Sequence, residues 1–344
     1  MNAPNTPARP GNRPVAPAPS PAPAFKLNVT RGVVAEPPRI VVYGDGGIGK
    51  SSLAMGAPSP LFLDLERGTL QLDLERETGI KTWEQLLSCV QSLATAEHHY
   101  KTLVIDTLDT AESMCWEHIC RKGRVDSIER YEKGFGKGYT AAFEEFRKLN
   151  HALDHLRSAR GMGVIVISHA KVEKAPNTLG EEYERWTLKV HKQVAGLFFV
   201  SFDAVLYAHL ETFTQKSESG RVKGFGDRHV LETQASPWWL AKNRYRLPKT
   251  IDLSWDVLAA GIARGAEEIV ASMREEIEGA LAKLEELDAE AATKARETYE
   301  KTDTRSGALG ALLNRINAGV ATREAARASA SDNDTSNTTD TATT

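Results

Sequence analysis

Ile40-Val41-Val42-Tyr43-Gly44-Asp45-Gly46-Gly47-Ile48-Gly49-Lys50-Ser51-Ser52 decides how this chain is read. The first four residues form an apolar run of the kind that becomes a buried strand, and a glycine-rich turn follows. Ser51-Ser52-Leu53-Ala54-Met55 then reads as the first turns of a helix. Strand, turn and helix start together aim backbone N–H groups at one point, which is what a polyphosphate needs. Lys50 is placed to reach the β- and γ-phosphates, and the Ser51 hydroxyl to hold Mg²⁺. Residues 44–52 are therefore expected to bind a nucleoside triphosphate, taken as ATP with Mg²⁺.

Working outward, Leu61-Phe62-Leu63-Asp64-Leu65 is a second apolar run, reached past Pro58 and Pro60. Trp83 to Leu93 has amphipathic helical spacing. Thr102-Leu103-Val104-Ile105-Asp106 is a third strand ending in a carboxylate, with a helix after it. Tyr139 to Ala159 carries Phe143, Phe146, Leu149, Leu153 and Leu156 at helical spacing, and Val164-Ile165-Val166-Ile167 is as continuously apolar as a central parallel strand. Ala204 to Leu210 and Val230 to Thr233 suggest further strands around a polar turn region, Gln215 to Gly226. Strands alternating with helices imply an α/β fold: a mostly parallel sheet covered on both faces.

Composition bounds the rest. Eight of the fifteen prolines lie in the first 24 residues, without apolar periodicity, so residues 1–28 are expected to be a disordered Pro/Ala-rich tail. Residues 29–258 are expected to form the core, 259–325 a helical arm, and 326–344 a second disordered tail. Val270, Met273, Ile277, Ala280, Leu284, Leu287 and Ala291 recur three and four apart, which fits a coiled coil or one amphipathic helix lying on the core. A formal charge of −3 excludes a uniformly basic nucleic-acid binder, so any such contact must be a local patch. Cys89, Cys115 and Cys120 fit a reducing, cytoplasmic setting, and the Cys115–Cys120 spacing matches no common zinc pattern. No stretch is long and apolar enough to span a membrane.

Asp106, at the carboxyl end of its strand, faces the crevice of the phosphate loop and is expected to join Ser51 in holding Mg²⁺. Hydrolysis also needs a group to orient the attacking water, and Asp64 and Glu66 stand at the end of the second strand. Phe62-Leu63-Asp64-Leu65-Glu66 resembles the strand of RecA-like ATPases that ends in the catalytic glutamate, which implies that Glu66 polarises the water. By the same resemblance His169, after the fourth strand, senses the γ-phosphate, and Lys242-Asn243-Arg244 is similar to the Lys-x-Arg pair inserted into a neighbour's site. The order of these motifs over residues 40 to 250 resembles RecA-like ATPases of bacteriophages, including single-strand-annealing recombination proteins.

The resemblance also implies single-stranded DNA as a partner, held by the loops Arg121 to Tyr139 and Lys171 to Lys192. In the first, Arg121, Lys122, Arg124, Lys133 and Lys137 offer phosphate contacts and Tyr139 a stacking face, with glycines 134, 136 and 138 between. It further implies a homo-oligomer, ring or filament; the tails are candidate contacts for a single-strand-binding or replication protein. Three functions remain open on sequence: a recombination ATPase, a ring-type helicase or loader motor, and a nucleotide-gated binding module with little hydrolysis.

Overall fold

The computed structural model describes residues 36–176, 180–216, 222–302 and 306–336. The expected tail at 1–28 lies outside them. The elements in chain order are β1 (Arg39–Gly44), α1 (Lys50–Met55), β2 (Pro60–Asp64), β3 (Arg76–Glu77), α2 (Trp83–Thr95), β4 (Thr102–Asp106) and α3 (Leu108–Gly123). A 3-10 segment (Ile128–Lys133) leads to α4 (Lys137–Arg160), β5 (Gly163–Ala175), β6 (Tyr183–Leu188) and α5 (Lys192–Ser201). There follow β7 (Ala204–Lys216), β8 (Val222–Glu232), β9 (Lys242–Asn243) and β10 (Thr250–Asp252). Three helices close the chain: α6 (Trp255–Leu287), α7 (Ala289–Glu300) and α8 (Ser306–Ser336).

The sheet runs β10-β8-β7-β1-β5-β4-β2-β3. From β7 to β3 every neighbour is parallel, while β8, β9 and β10 add antiparallel pairs at one side. The expected mostly parallel α/β core is present, with β5 inserted between the phosphate-loop strand and the Asp106 strand. Period-2 alternation sorts its two faces. Val41, Tyr43, Leu63, Leu103, Ile105, Val164 and Val166 meet the buried stripes of α2 to α5; Ile40, Val42, Phe62, Val104, Ile165 and Ile167 meet α1 and the start of α6. No strand of this central set is left with a solvated face, which explains its unbroken apolar runs.

Register sets the carboxyl edge. Gly44 is level with His169 on one side and Ala208 on the other, and Asp64 is level with Asp106. The strand ends singled out by sequence therefore lie along one edge of the sheet.

Three expectations are corrected. β7 and β8 extend to Lys216 and Val222, so most of the expected 215–226 turn region is hairpin arm, although residues 217–221 lie outside the description. The heptad stripe is not spread over the core; it packs helix on helix within the chain, nearer to the coiled-coil alternative. Only the start of α6 packs on the sheet; Ile277, Leu281 and Leu284 pack on Leu309, Leu312, Leu313 and Ile316 of α8, a separate hydrophobic cluster. The arm also begins at Trp255, and α8 reaches Ser336, inside the expected tail, because its alanine-rich end keeps helical propensity. Cys115 is buried among the α3 core residues and Cys120 half-buried, as the non-metal reading of that segment requires.

Candidate functional site

The phosphate loop is shaped by backbone that other residues would resist. Gly47 and Gly49 hold φ of +78° and +110°, the left-handed region in which a Cβ is strained. The loop is pinned from outside by His229 of β8, whose Nδ1 hydrogen-bonds with the Ile48 carbonyl at 2.9 Å. Gly44 has no room for a side chain, because a Cβ there would sit 2.2 Å from the Ala208 carbonyl oxygen of the adjacent strand. After α1 the chain turns at Gly56 against the Trp255 ring, which limits that helix to six residues.

Lys50 is buried, and its Nζ donates to the carbonyls of Gly44 at 2.9 Å and Asp45 at 2.7 Å. Burial lowers its pKa against the opposing field of Asp106, Asp109, Asp45 and Glu66. Ser51 Oγ donates to Asp106 Oδ2 at 2.6 Å. Burial, with Glu66 and Asp64 nearby, raises the Asp106 pKa against the Ser51 hydrogen bond and Lys50. A hydroxyl and a buried carboxylate are hard oxygen donors of the kind Mg²⁺ prefers, so Ser51 and Asp106 fit that ion.

Around this pair stand residues from three strands. Glu66 Oε1 accepts the hydroxyls of Thr107 and, at 2.7 Å, Thr110, so the carboxylate is held on α3's first turn beside the Asp106 strand. Asp64 is differently engaged: it accepts from Gly68 N, Thr69 N and Thr69 Oγ1 at 3.0, 3.2 and 2.5 Å, closing the turn after β2. Of the two carboxylates, only Glu66 is presented to the crevice. His169 donates its backbone N–H to Asp109 Oδ1 at 3.0 Å, and its Nδ1 lies 2.8 Å from Asp109 Oδ2 and 3.8 Å from Glu66 Oε1. Burial raises the Asp109 pKa, but the hydrogen bonds from His169 outweigh it and leave that carboxyl below its ordinary value. Glu66, Asp109 and His169 form the one cluster among the described residues whose donor atoms lie within 4.8 Å of one another.

Lys242 and Arg244 are elsewhere. β9 pairs with Ala204 and Val205, at the amino end of β7, whereas Ala208 is level with the phosphate loop. The Lys242 Nζ donates to the carbonyls of Phe199, Val200 and Phe202, so it caps the carboxyl end of α5. Arg244 is 56% exposed and leans on Asp203 at 3.4 Å. Both therefore make their contacts at the end of β7 opposite the phosphate loop.

The loop expected to bind a polymer is also rearranged. Tyr139 stacks on His191 at 4.7 Å and 4°, with Trp116 edge-on, so its ring is built into packing. Arg121 is paired with Glu84 at 3.0 Å, and Lys137 stands 3.8 Å from Glu132. Lys122, Arg124 and Lys133 are exposed. The exposed ring is Phe135, at 97%, on a tip where Glu132 through Gly136 all have positive φ. Sequence reasoning missed Thr107, Asp109, Thr110 and His229. Asp109 had one legible signal, its position in the first turn of a helix opening directly from a functional strand end.

A family model described as an AAA domain matches residues 36–245. The SPbeta prophage-derived uncharacterized protein YorG of Bacillus subtilis is 27% identical over 210 residues, 59% of this chain. This chain spans 56% of that relative's length. Among solved structures, the RadB recombinase is 14% identical with a TM-score of 0.33, over 57% of this chain and 80% of that one. The flagellar accessory protein FlaH of Methanocaldococcus jannaschii is 11% identical with a TM-score of 0.33, over 63% and 84%. Among the described residues no helix is long and apolar enough to cross a membrane.

Proposed function

Because this chain belongs to the AAA-domain family of P-loop ATPases, we propose that it hydrolyses Mg·ATP and acts on single-stranded DNA in phage recombination or replication. The observation that carries the ATPase reading is the Ser51–Asp106 contact of 2.6 Å beneath the phosphate loop, with Glu66 held one strand away. Ser51 and Asp106 would hold Mg²⁺, which would supply charge neutralisation for the phosphates. Lys50, already desolvated, supplies a cation to the β- and γ-phosphate oxygens, and the loop N–H groups bind the rest of the chain of phosphates. Glu66 accepts a proton from, or orients, the attacking water. Positioning and charge account for most of the acceleration in phosphoryl transfer.

The nucleic-acid part rests on the exposed tip Lys133-Gly134-Phe135-Gly136-Lys137, joined by Lys122 and Arg124, and on the prophage origin of the relative. A free aromatic face between cations suits unstacked bases and their phosphates. Arg244, exposed at the opposite sheet edge, would complete the site of a neighbouring protomer in a ring or filament. ATP turnover measured with and without single-stranded DNA across a salt series tests the whole reading. Stimulation that fades with salt supports it, and equal rates at every salt concentration refute the DNA assignment. Turnover absent under all conditions refutes the ATPase and leaves a nucleotide-gated binding module.

A further inference from the structure

We propose that Asp109 is a positioning residue for hydrolysis: it fixes the ring and tautomer of His169 and keeps the Nδ1 proton away from Glu66. The inference rests on the ATPase reading above. His169 is the residue of β5 level with Gly44, so its ring stands in the row where the phosphate loop begins. Two carboxylates compete for its Nδ1, Asp109 at 2.8 Å and Glu66 at 3.8 Å, and the nearer one takes the hydrogen bond. Glu66 therefore keeps its lone pairs for the threonine hydroxyls and for water.

The Asp109 carboxylate is set by two bonds to one residue. Oδ1 takes the His169 backbone N–H at 3.0 Å while Oδ2 faces Nδ1 at 2.8 Å. An ionised carboxylate only accepts, so Nδ1 must carry a proton, and the bond made by one ring nitrogen decides the state of the other. Asp109 is itself held ionised, in the first turn of α3, where the helix terminus favours negative charge. The same turn supplies Thr110 to Glu66, with Thr107 at its cap. One helical turn thus positions both the carboxylate that acts on water and the histidine beside it.

Asp109→Asn is the informative change because it preserves shape. The backbone N–H of His169 still requires the amide oxygen, so the amide NH₂ is turned toward Nδ1. Nδ1 must then accept, its proton moves to Nε2, and a lone pair faces the Glu66 oxygen instead of an N–H. ¹⁵N spectra of the imidazoles, with the His169 signal identified by its loss in His169→Ala, should show an Nδ1-protonated ring in the native protein and an Nε2-protonated ring in Asp109→Asn. ATP affinity should stay within about twofold while kcat falls at least about tenfold, the range typical of residues that orient a functional side chain. Combined with His169→Ala, the Asn change should cost nothing further, because it acts through the ring. An unchanged tautomer with unchanged kcat overturns the proposal, as do losses that multiply in the double variant, or an ATP affinity that falls in step with kcat. Glu66→Gln run alongside separates the two levels. Full turnover in that variant refutes the role of Glu66 itself, whereas a dead Glu66→Gln beside a normal Asp109→Asn refutes only the positioning role.

Discussion

Replacing Lys242 by Met separates two roles that the Lys-x-Arg pattern merges, a charge offered to a neighbour and a cap on a helix. The ammonium donates at 2.7, 2.9 and 2.7 Å to the carbonyls of Phe199, Val200 and Phe202, at the carboxyl end of α5. Last-turn carbonyls have no partner within their helix, and a cation there also answers the helix dipole. Val200 is 68% exposed, so water recovers part of what the substitution removes, and the loss is far below the sum of three bonds. One charged hydrogen bond contributes about 1.5–3 kcal/mol, which puts the net cost at about 2 kcal/mol. For a domain of this size that is a fall in Tm of about 4–8 °C. Circular-dichroism melting, paired with turnover measured well below the midpoint, should show a lower Tm and a rate within about twofold of native. Arg244→Ala should do the reverse: its contacts to Asp203 and Val200 O are 3.4 and 3.5 Å long, so Tm barely moves, while a lost trans finger costs about 10³–10⁵ in rate. An unchanged Tm with lost turnover in Lys242→Met would refute the capping role and return Lys242 to the finger.

Lys50→Ala should abolish ATP binding, and Glu66→Gln should bind normally without turnover; equilibrium binding and single-turnover hydrolysis check both, and normal hydrolysis in Glu66→Gln removes it from the mechanism. Neutralising Lys133 and Lys137 together should weaken single-strand binding and flatten its salt slope, whereas Phe135→Ala should lower affinity at constant slope. Tyr139→Ala should instead lower Tm, since its ring packs on His191; fluorescence-anisotropy titrations at several salt concentrations, with melting curves, distinguish these outcomes. Glu112 provides a pH test. Burial raises its pKa from 4.5 to about 7, against the His191 backbone hydrogen bond and Lys171. The folded state then holds a proton that the unfolded chain releases, so this group makes stability fall as pH rises from about 4.5 to about 7 and level off above. Glu112→Gln should flatten that segment of the urea-midpoint profile, and an unchanged profile excludes the assignment.

The phosphate loop and its strand were legible because local chemistry forces them: only glycines tolerate the backbone of Gly47 and Gly49, and only a buried parallel strand reads as Ile40 to Tyr43. Asp106 and Glu66 were legible as strand ends facing the loop. The pairing of Asp109 with His169 was not, because its partner is 60 residues away and the contact depends on β5 lying beside β4. The contacts that Tyr139 and Lys242 make were hidden for a related reason. Composition marks a ring as able to stack and an amine as able to pair, but packing decides whether His191 or α5 has already taken that capacity.

The two edges of the sheet make oligomer geometry a consequence of the catalytic reading. Lys50, Ser51, Glu66, Asp106 and His169 open at the carboxyl edge, and Arg244 follows β9 at the amino end of β7. An arginine supplied in trans must therefore join the amino edge of one protomer to the carboxyl edge of the next. Such a contact is heterologous: the two surfaces differ, so a two-fold dimer cannot satisfy both sites, and repetition closes a ring or continues as a filament. Every internal protomer then holds one complete site, and an open filament leaves one site at its end without a finger. Mixing Arg244→Ala with Lys50→Ala tests this directly, since each variant lacks a different half. Joints that pair an intact phosphate loop with an intact Arg244 should recover part of the turnover that neither variant shows alone. Demonstrated co-assembly without any recovery would place Arg244 outside the neighbour's site and remove the head-to-tail requirement with it.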